Sequence, residues 1–410
     1  MSSTRREFLK SLVGASTVVS LSAAAPEFLQ RAAQSLDAAE PQGDTVLVLL
    51  QLSGGNDGLN TVVPYADDVY ARSRQTLRLT DKDVHKIDEH LGFHPALARA
   101  LPMLREGHLS VLQGVGYPNS NRSHDEALRD WHTARPADAA CQTGWVGRAI
   151  DQAVQPDDTR VTGVCVAPIP RPLAMNAEKS VVPVTASADK FVLREPPLST
   201  VAVAVGGGDA DPLAAFVRQG FTNAYRSSQL VQEVLRQAGS GAEYPNFTLA
   251  QQLKTVAELA RAGLGIRIYF TELGGGGIGG FDNHANQRDN HAALLREIAE
   301  SLAAFARDLQ RDRTWERILL VTFSEFGRTL RENGRRGTDH GAAAPVLLVG
   351  GKLAGGVIGK SPSLTDLDGD SPRSHTDFRS VYATVLDRWL QYDSEAILGQ
   401  KFPHLDFLRS

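Results

Sequence analysis

Cysteine is almost missing from this chain: Cys141 and Cys165 are the only two in 410 residues. Two thiols cannot build a disulfide scaffold or a thiolate metal cage, although one bridge between them stays open in an oxidising compartment. An excess of either charge is missing too, with 43 Lys and Arg against 47 Asp and Glu and a formal net charge of −4. That balance offers no basic footprint for nucleic acid as a main partner. No apolar stretch reaches the roughly 20 residues that span a bilayer, and the sequence contains no internal repeat. What the chain does have is 42% hydrophobic and 22% charged residues, which fills a folded core and excludes disorder.

The N-terminus reads as an address. Thr4-Arg5-Arg6-Glu7-Phe8-Leu9-Lys10 is followed by an apolar run from Ser11 to Ala25 that ends in three alanines. Charged start, apolar middle and small-residue end are the layout of a twin-arginine signal. Residues 1–40 are therefore expected to be signal and linker, and 41–410 the functional domain. The mature protein is expected in the periplasm or otherwise exported, with the twin-arginine translocase as its partner during export and no stable membrane span.

Within the domain, Thr45–Leu52 is a continuous apolar run, as a strand buried on both faces requires. Similar runs recur at Leu109–Val115, Val161–Ala167, Ile318–Phe323 and Pro345–Val349. Between them lie helical periods. Leu294, Ile298, Leu302, Phe305 and Leu309 form one helical face, and Phe378, Val381, Val385 and Trp389 form another. The alternation predicts an α/β fold with a mostly parallel sheet between helices. The stretch from about 168 to 241 is richer in proline and small residues and reads as an inserted cap, with a helix at Gln229–Gln237.

Two nucleotide-binding patterns fail on their context. The glycine string Gly275–Gly280 lacks the acidic residue of a βαβ unit, and Ala354–Ser361 has Ala354 where a phosphate loop needs glycine.

Four clusters instead lie at or beyond the ends of expected strands, where ligands bind in open α/β sheets. Ser53-Gly54-Gly55-Asn56-Asp57-Gly58 follows the first strand, and Asp57 offers either a metal-binding carboxylate or an Asx-stabilised turn. In Asn121-Arg122-Ser123-His124-Asp125-Glu126 the Ser123/Glu126 spacing predicts a capping box and a helix start. A hydroxyl there is also placed to attack a phosphate or sulfate. Phe281-Asp282-Asn283-His284 puts two ligand types two residues apart, on one side of an extended segment. His291 is expected at the surface or in a local helix contact. Glu325 ends a strand, and Asp339-His340 sits between glycines, where a buried charge needs a partner such as a divalent cation.

Together with the twin-arginine start, the segments LLQLSGGNDGLNTVVPY, HPAL, VGYPNSNRSH, FDNHANQ, TFSEFGRT, GTDHG and FRSVYATVLDRWL resemble the bacterial exported family DUF1501 across nearly the whole mature chain. That family is grouped with alkaline phosphatase-like and sulfatase-like proteins. The resemblance implies a three-layer α/β/α sandwich with a metal site at the sheet's carboxyl edge. It implies Ser123 as nucleophile and Asp57, Asp282, His284, Glu325, Asp339 and His340 as candidate ligands. In the preferred register His340 serves the first metal, Glu325 replaces an aspartate and Phe326 replaces a histidine ligand. Asp339 or His124 is then left to complete a second site. A simpler register sets Asp339-His340-Gly341 on the family's Asp-His-Gly pattern and uses His375 as the late histidine.

The implied cofactor is one or two divalent ions, with zinc, calcium, magnesium and manganese all open. The expected function is a metal-dependent hydrolase of phosphate or sulfate esters, acting on a small-molecule, glycan or lipid ester. The alternative is a non-catalytic exported binding or assembly protein on a degenerate scaffold of the same kind.

Overall fold

The computed structural model describes residues 45–136, 138–153, 162–180, 182–186, 233, 236–239, 241–274 and 280–409. The segment expected to be a signal, most of the glycine string and most of the helix expected at Gln229–Gln237 lie outside these residues.

Among the described residues the core is a nine-stranded sheet. Its strands are β1 (Val46–Leu52), β2 (Leu109–Gly116), β3 (Gly163–Val166), β4 (Val184–Thr185), β5 (Ile268–Leu273), β6 (Ile318–Phe323), β7 (Ala344–Gly350), β8 (Gly356–Ile358) and β9 (Thr376–Asp377). Their order across the sheet is β8-β2-β7-β6-β1-β5-β3-β4, with β9 pairing β2. All neighbours run parallel except β7, which is antiparallel to both β6 and β2.

Side chains alternate across the pleat, so β1 feeds two cores. Val46, Val48, Leu50 and Leu52 pack on one face with helices α3 (Thr248–Arg261) and α4 (Gln287–Leu309). Leu47 and Leu49 pack on the other with α1 (His124–Thr133), α2 (Trp145–Ala153) and α5 (Phe378–Thr384). The fold is the expected three-layer α/β/α sandwich with a mainly parallel sheet. The two helical faces read from the sequence are both buried, one against each side.

The stretch expected to be an inserted cap is described only in part. Ala174, Met175 and Val182 are buried, and Val184–Thr185 extends the sheet as β4. Both cysteines are buried free thiols. No helix among the described residues is long and apolar enough to cross a membrane.

Strand direction places the site. β1, β2, β5 and β6 end on one edge of the sheet, and the loops after them begin there. Because β7 runs the other way, its entry lies on that same edge, with Ala344 opposite Val115 near the end of β2. The segment just before β7, which holds Asp339 and His340, therefore joins the loops after the parallel strands.

Burial also makes the fold sensitive to acid. His94, His132 and His291 are 6%, 6% and 1% exposed, and desolvation pulls them from 6.5 down to about 3, 4 and 4. The unfolded chain then takes up protons that the folded chain refuses. Stability is complete well above pH 6.5 and falls as pH drops from 6.5 to about 4 for His132 and His291 and to about 3 for His94, by up to about 1.4 kcal/mol per pH unit for each histidine. Urea unfolding at pH 7 and pH 5 is expected to show this loss, with His132→Gln reducing the slope. Equal stability at the two pH values contradicts the account.

Candidate metal centre

Asp282 sits at the middle of the rim, on the loop after β5. Its Oδ1 lies 3.0 Å from His284 Nε2 and 3.1 Å from His340 Nε2, and the two Nε2 atoms are 2.9 Å apart. Its Oδ2 lies 3.4 Å from Nε2 of His124, the first residue of α1. The ligand atoms of His124, Asp282 and His340 all fall within 4.8 Å of one another.

The far side of each ring decides where its proton sits. His284 Nδ1 faces Asp339 Oδ1 at 2.8 Å, His340 Nδ1 faces the Arg122 carbonyl at 2.6 Å, and His124 Nδ1 faces Glu325 Oε1 at 2.9 Å. All three partners are pure acceptors, so each Nδ1 is assigned as the protonated nitrogen. The three Nε2 lone pairs are then directed at one carboxylate. Such a set of neutral imidazoles and a carboxylate, each imidazole held from behind by an oxygen, suits a transition-metal ion. A tetrahedral ion with bonds near 2.1 Å holds its ligands about 3.4 Å apart, close to the spacing seen. The residues fit the group that the resemblance implies.

Electrostatics follow the same arrangement. Burial alone raises the Asp282 carboxyl, but the Arg328 hydrogen bond and the neighbouring His340 and His284 imidazoles outweigh it and hold the group down to about 2. The hydrogen bond to Glu325 raises His124 against the opposing effect of burial. Burial lowers His340, partly offset by its bond to the Arg122 carbonyl and by the nearby Asp282 carboxylate. Asp339 is opposed by burial yet held below the usual carboxylate range by His284 and Asn333.

Arg328 was not singled out from the sequence, yet its fully buried side chain ties the rim together. It donates to the carbonyls of Gly54, Gly55, Phe281 and Thr338 and to Asp282 Oδ1. Two glycines permit the close approach of these loops. A Cβ on Gly54, whose φ is +110°, would collide with the Asp282 backbone nitrogen, and one on Gly337 would collide with the backbone of His284.

The structure thus brings Asp282, His284 and His340 together, with Glu325 and Asp339 behind two of the histidines. Asp57 it places elsewhere. That side chain is 3% exposed and paired with Arg74 through both oxygens, at 2.5 and 3.0 Å, with Gln287 also donating to it at 2.5 Å. Burial alone raises the Asp57 carboxyl, but Arg74 more than offsets this and holds it below the ordinary range.

Ser123 does start a helix, but the expected capping box is not made. Its side chain forms no cap, its N–H donates to Asn121 Oδ1 at 2.8 Å, and Glu126 bonds Asn121 instead. The Ser123 hydroxyl is exposed beside His124. His291, expected at the surface or in a local contact, is buried with Nε2 3.1 Å from Asn56 Oδ1. His375 packs against Gly114 and Thr376, and its contacts lie outside the cluster.

Asp339 tests the role of the outer oxygens. Asp339→Asn keeps the shape but weakens the acceptor on His284, and metal affinity is expected to fall about 10- to 100-fold by competition titration. Unchanged affinity would show that Asp339 does not hold His284 for a ligand.

Fold and site define an α/β/α protein with a histidine-carboxylate centre at the carboxyl rim of a mainly parallel sheet. The chain belongs to the family described as protein of unknown function (DUF1501), whose model matches residues 114–398. A comparison with curated proteins gives no match.

Among solved structures, the chain is similar to the C-terminal periplasmic domain of EptC from Escherichia coli in complex with zinc. The identity is 10%, with 76% of this chain and 74% of that one covered, at TM-score 0.34. It is similar to the lipoteichoic acid synthase LtaP from Listeria monocytogenes at 8% identity, over 90% and 75% of the two chains, at TM-score 0.35. The PsFucS1 sulfatase from Pseudoalteromonas sp. shares 10% identity over 98% of this chain and 75% of its own, at TM-score 0.35. Likeness at that level transfers no chemistry to this chain.

Proposed function

We propose that this protein is an exported metal-dependent hydrolase of phosphate or sulfate esters. In this reading Asp282, His284, His340 and His124 hold the ion and Ser123 is the nucleophile. One observation carries it: three imidazole Nε2 atoms converge on a single carboxylate, and one of those histidines, His124, directly follows the exposed Ser123 at the start of a ten-residue helix. Nitrogen-rich donors favour zinc or another transition ion over calcium or magnesium. When bound, such an ion lowers the pKa of a hydroxyl or water and offsets developing negative charge.

The chain's own groups supply the remainder. The first turn of α1 presents backbone N–H groups and the positive end of the helix dipole to an anionic ester. Ser123 carries no capping bond that must break before its hydroxyl moves. Glu325 is 1% exposed and accepts from Gly54 N–H at 2.8 Å, so it fixes the His124 ring from a rigid base. Arg122, whose guanidinium meets Asp368 at 3.0 Å and is partly exposed, flanks Ser123 and is placed to meet ester oxygens. Export rests on Arg5-Arg6 and the apolar run that follows.

The test is a panel of aryl phosphates and aryl sulfates with protein loaded with zinc or manganese. Turnover of one class is expected, and Ser123→Ala is expected to lower kcat by at least about 100-fold without loss of metal. Metal-loaded protein that hydrolyses neither class overturns the hydrolase. The second reading, an exported binding or assembly protein, then stands; the phenyl ring of Phe326 among the histidines is the observation that favours it.

A further inference from the structure

Two more buried carboxylates lie on the neighbouring loops, Glu325 behind His124 and Asp57 after β1, at 1% and 3% exposure. They are the groups from which a second ion would have to be built. We infer that the centre takes one metal ion only, and that the chain's own cation, Arg74, supplies the counter-charge that Asp57 would otherwise take from a second ion. This rests on the metal centre proposed above.

Each group near the second position is already satisfied or lacks a donor atom. Asp57 gives both oxygens to the fully buried Arg74 and receives Gln287 as well. Arg74 is locked in turn by the carbonyls of Leu330 and Thr329, at 2.8 and 2.9 Å, and by Asn60 Oδ1 at 3.0 Å. Drawing Asp57 onto an ion would leave that guanidinium buried without its counter-charge, which is strongly unfavourable. Glu325 is held by the Gly54 N–H, by His124 Nδ1 and, at 3.3 Å, by the Ser324 hydroxyl.

Phe326 covers the histidines themselves. Its ring stacks on His340 at 4.2 Å between centroids and lies 4.9 Å from His124. A phenyl ring offers no lone pair and excludes water from the place where another ligand would enter. The neutral Asp57–Arg74 pair therefore replaces a charge that would otherwise have to come from solution.

Elemental analysis of the full chain, purified without chelator and dialysed against excess zinc or manganese, tests this directly. One equivalent per chain is expected in the wild type, with less than a tenth remaining in His340→Ala. Asp57→Leu/Arg74→Leu, which removes both charges together and so avoids stranding either, is expected to keep one equivalent. Two tightly held equivalents in the wild type, or a loss of metal in the double variant, overturn the inference while leaving the metal centre standing. No bound metal at all overturns both.

Discussion

Replacing Asp282 or His340 with alanine is expected to empty the centre while leaving the protein folded. Loss of an outer hydrogen-bond partner costs about 10- to 100-fold in metal affinity, so loss of a ligand itself is expected to exceed about 100-fold. The fold does not depend on the His340 side chain, whereas Asp282 is also the carboxylate partner of the buried Arg328. Asp282 is 44% exposed and the His340 side chain 19% exposed, and without an ion their lone pairs face one another unfavourably. Metal-free His340→Ala should therefore unfold at the same denaturant concentration as metal-free wild type or a slightly higher one, and Asp282→Ala at a lower one, because Arg328 loses its carboxylate while keeping its carbonyl partners. Competition titration and urea unfolding together decide the point. A variant that keeps full metal affinity removes that residue from the centre, whereas a variant that loses metal only because it has unfolded makes the cluster a structural feature.

The opposite pattern is expected at Asp57. Alanine there strands Arg74 in the interior, and breaking a buried pair from one side costs about 3–5 kcal/mol. The lower end applies, because the carbonyls of Leu330 and Thr329 still accept from the guanidinium. Urea unfolding of Asp57→Ala reads this loss, while metal affinity per folded molecule stays near that of the wild type. A stable Asp57→Ala protein with weakened metal binding would return Asp57 to the centre as a ligand.

These two residues also mark what the sequence discloses and what it hides. Strands such as Thr45–Leu52 and Ile318–Phe323 were legible because a strand covered on both faces must be apolar throughout. The strand Ile268–Leu273 was not, since Thr271 and Glu272 interrupt it. Both are buried, with the Thr271 hydroxyl donating to the Leu49 carbonyl and the Glu272 backbone paired to the Gln252 side chain. The reversed direction of β7 was equally silent, because composition does not encode polarity.

In the site, Asp282 and His284 could be paired from their spacing alone, since both lie on one short segment. Arg74, by contrast, directly follows the short helix Asp68–Ser73, 17 residues beyond Asp57, and no motif announces that a guanidinium will claim the carboxylate. His124 was visible as a neighbour of Ser123, but its bond to Glu325, 201 residues away, belongs to the fold. Arg328 lay inside a recognisable motif, and only the meeting of three loops gives it a role.

That meeting has a kinetic side. The loops after β1 and β5 and the one before β7 are far apart in sequence, yet all hang on one guanidinium with no solvent around it. None of them can swing outward alone without leaving Arg328 a vacant donor in a dry interior. Their fluctuations are thereby coupled: the rim opens as a single unit or stays shut, and its backbone amides exchange with solvent deuterium at one shared rate. Breathing of that kind is rare and concerted, so a ligand entering here meets a nearly finished socket.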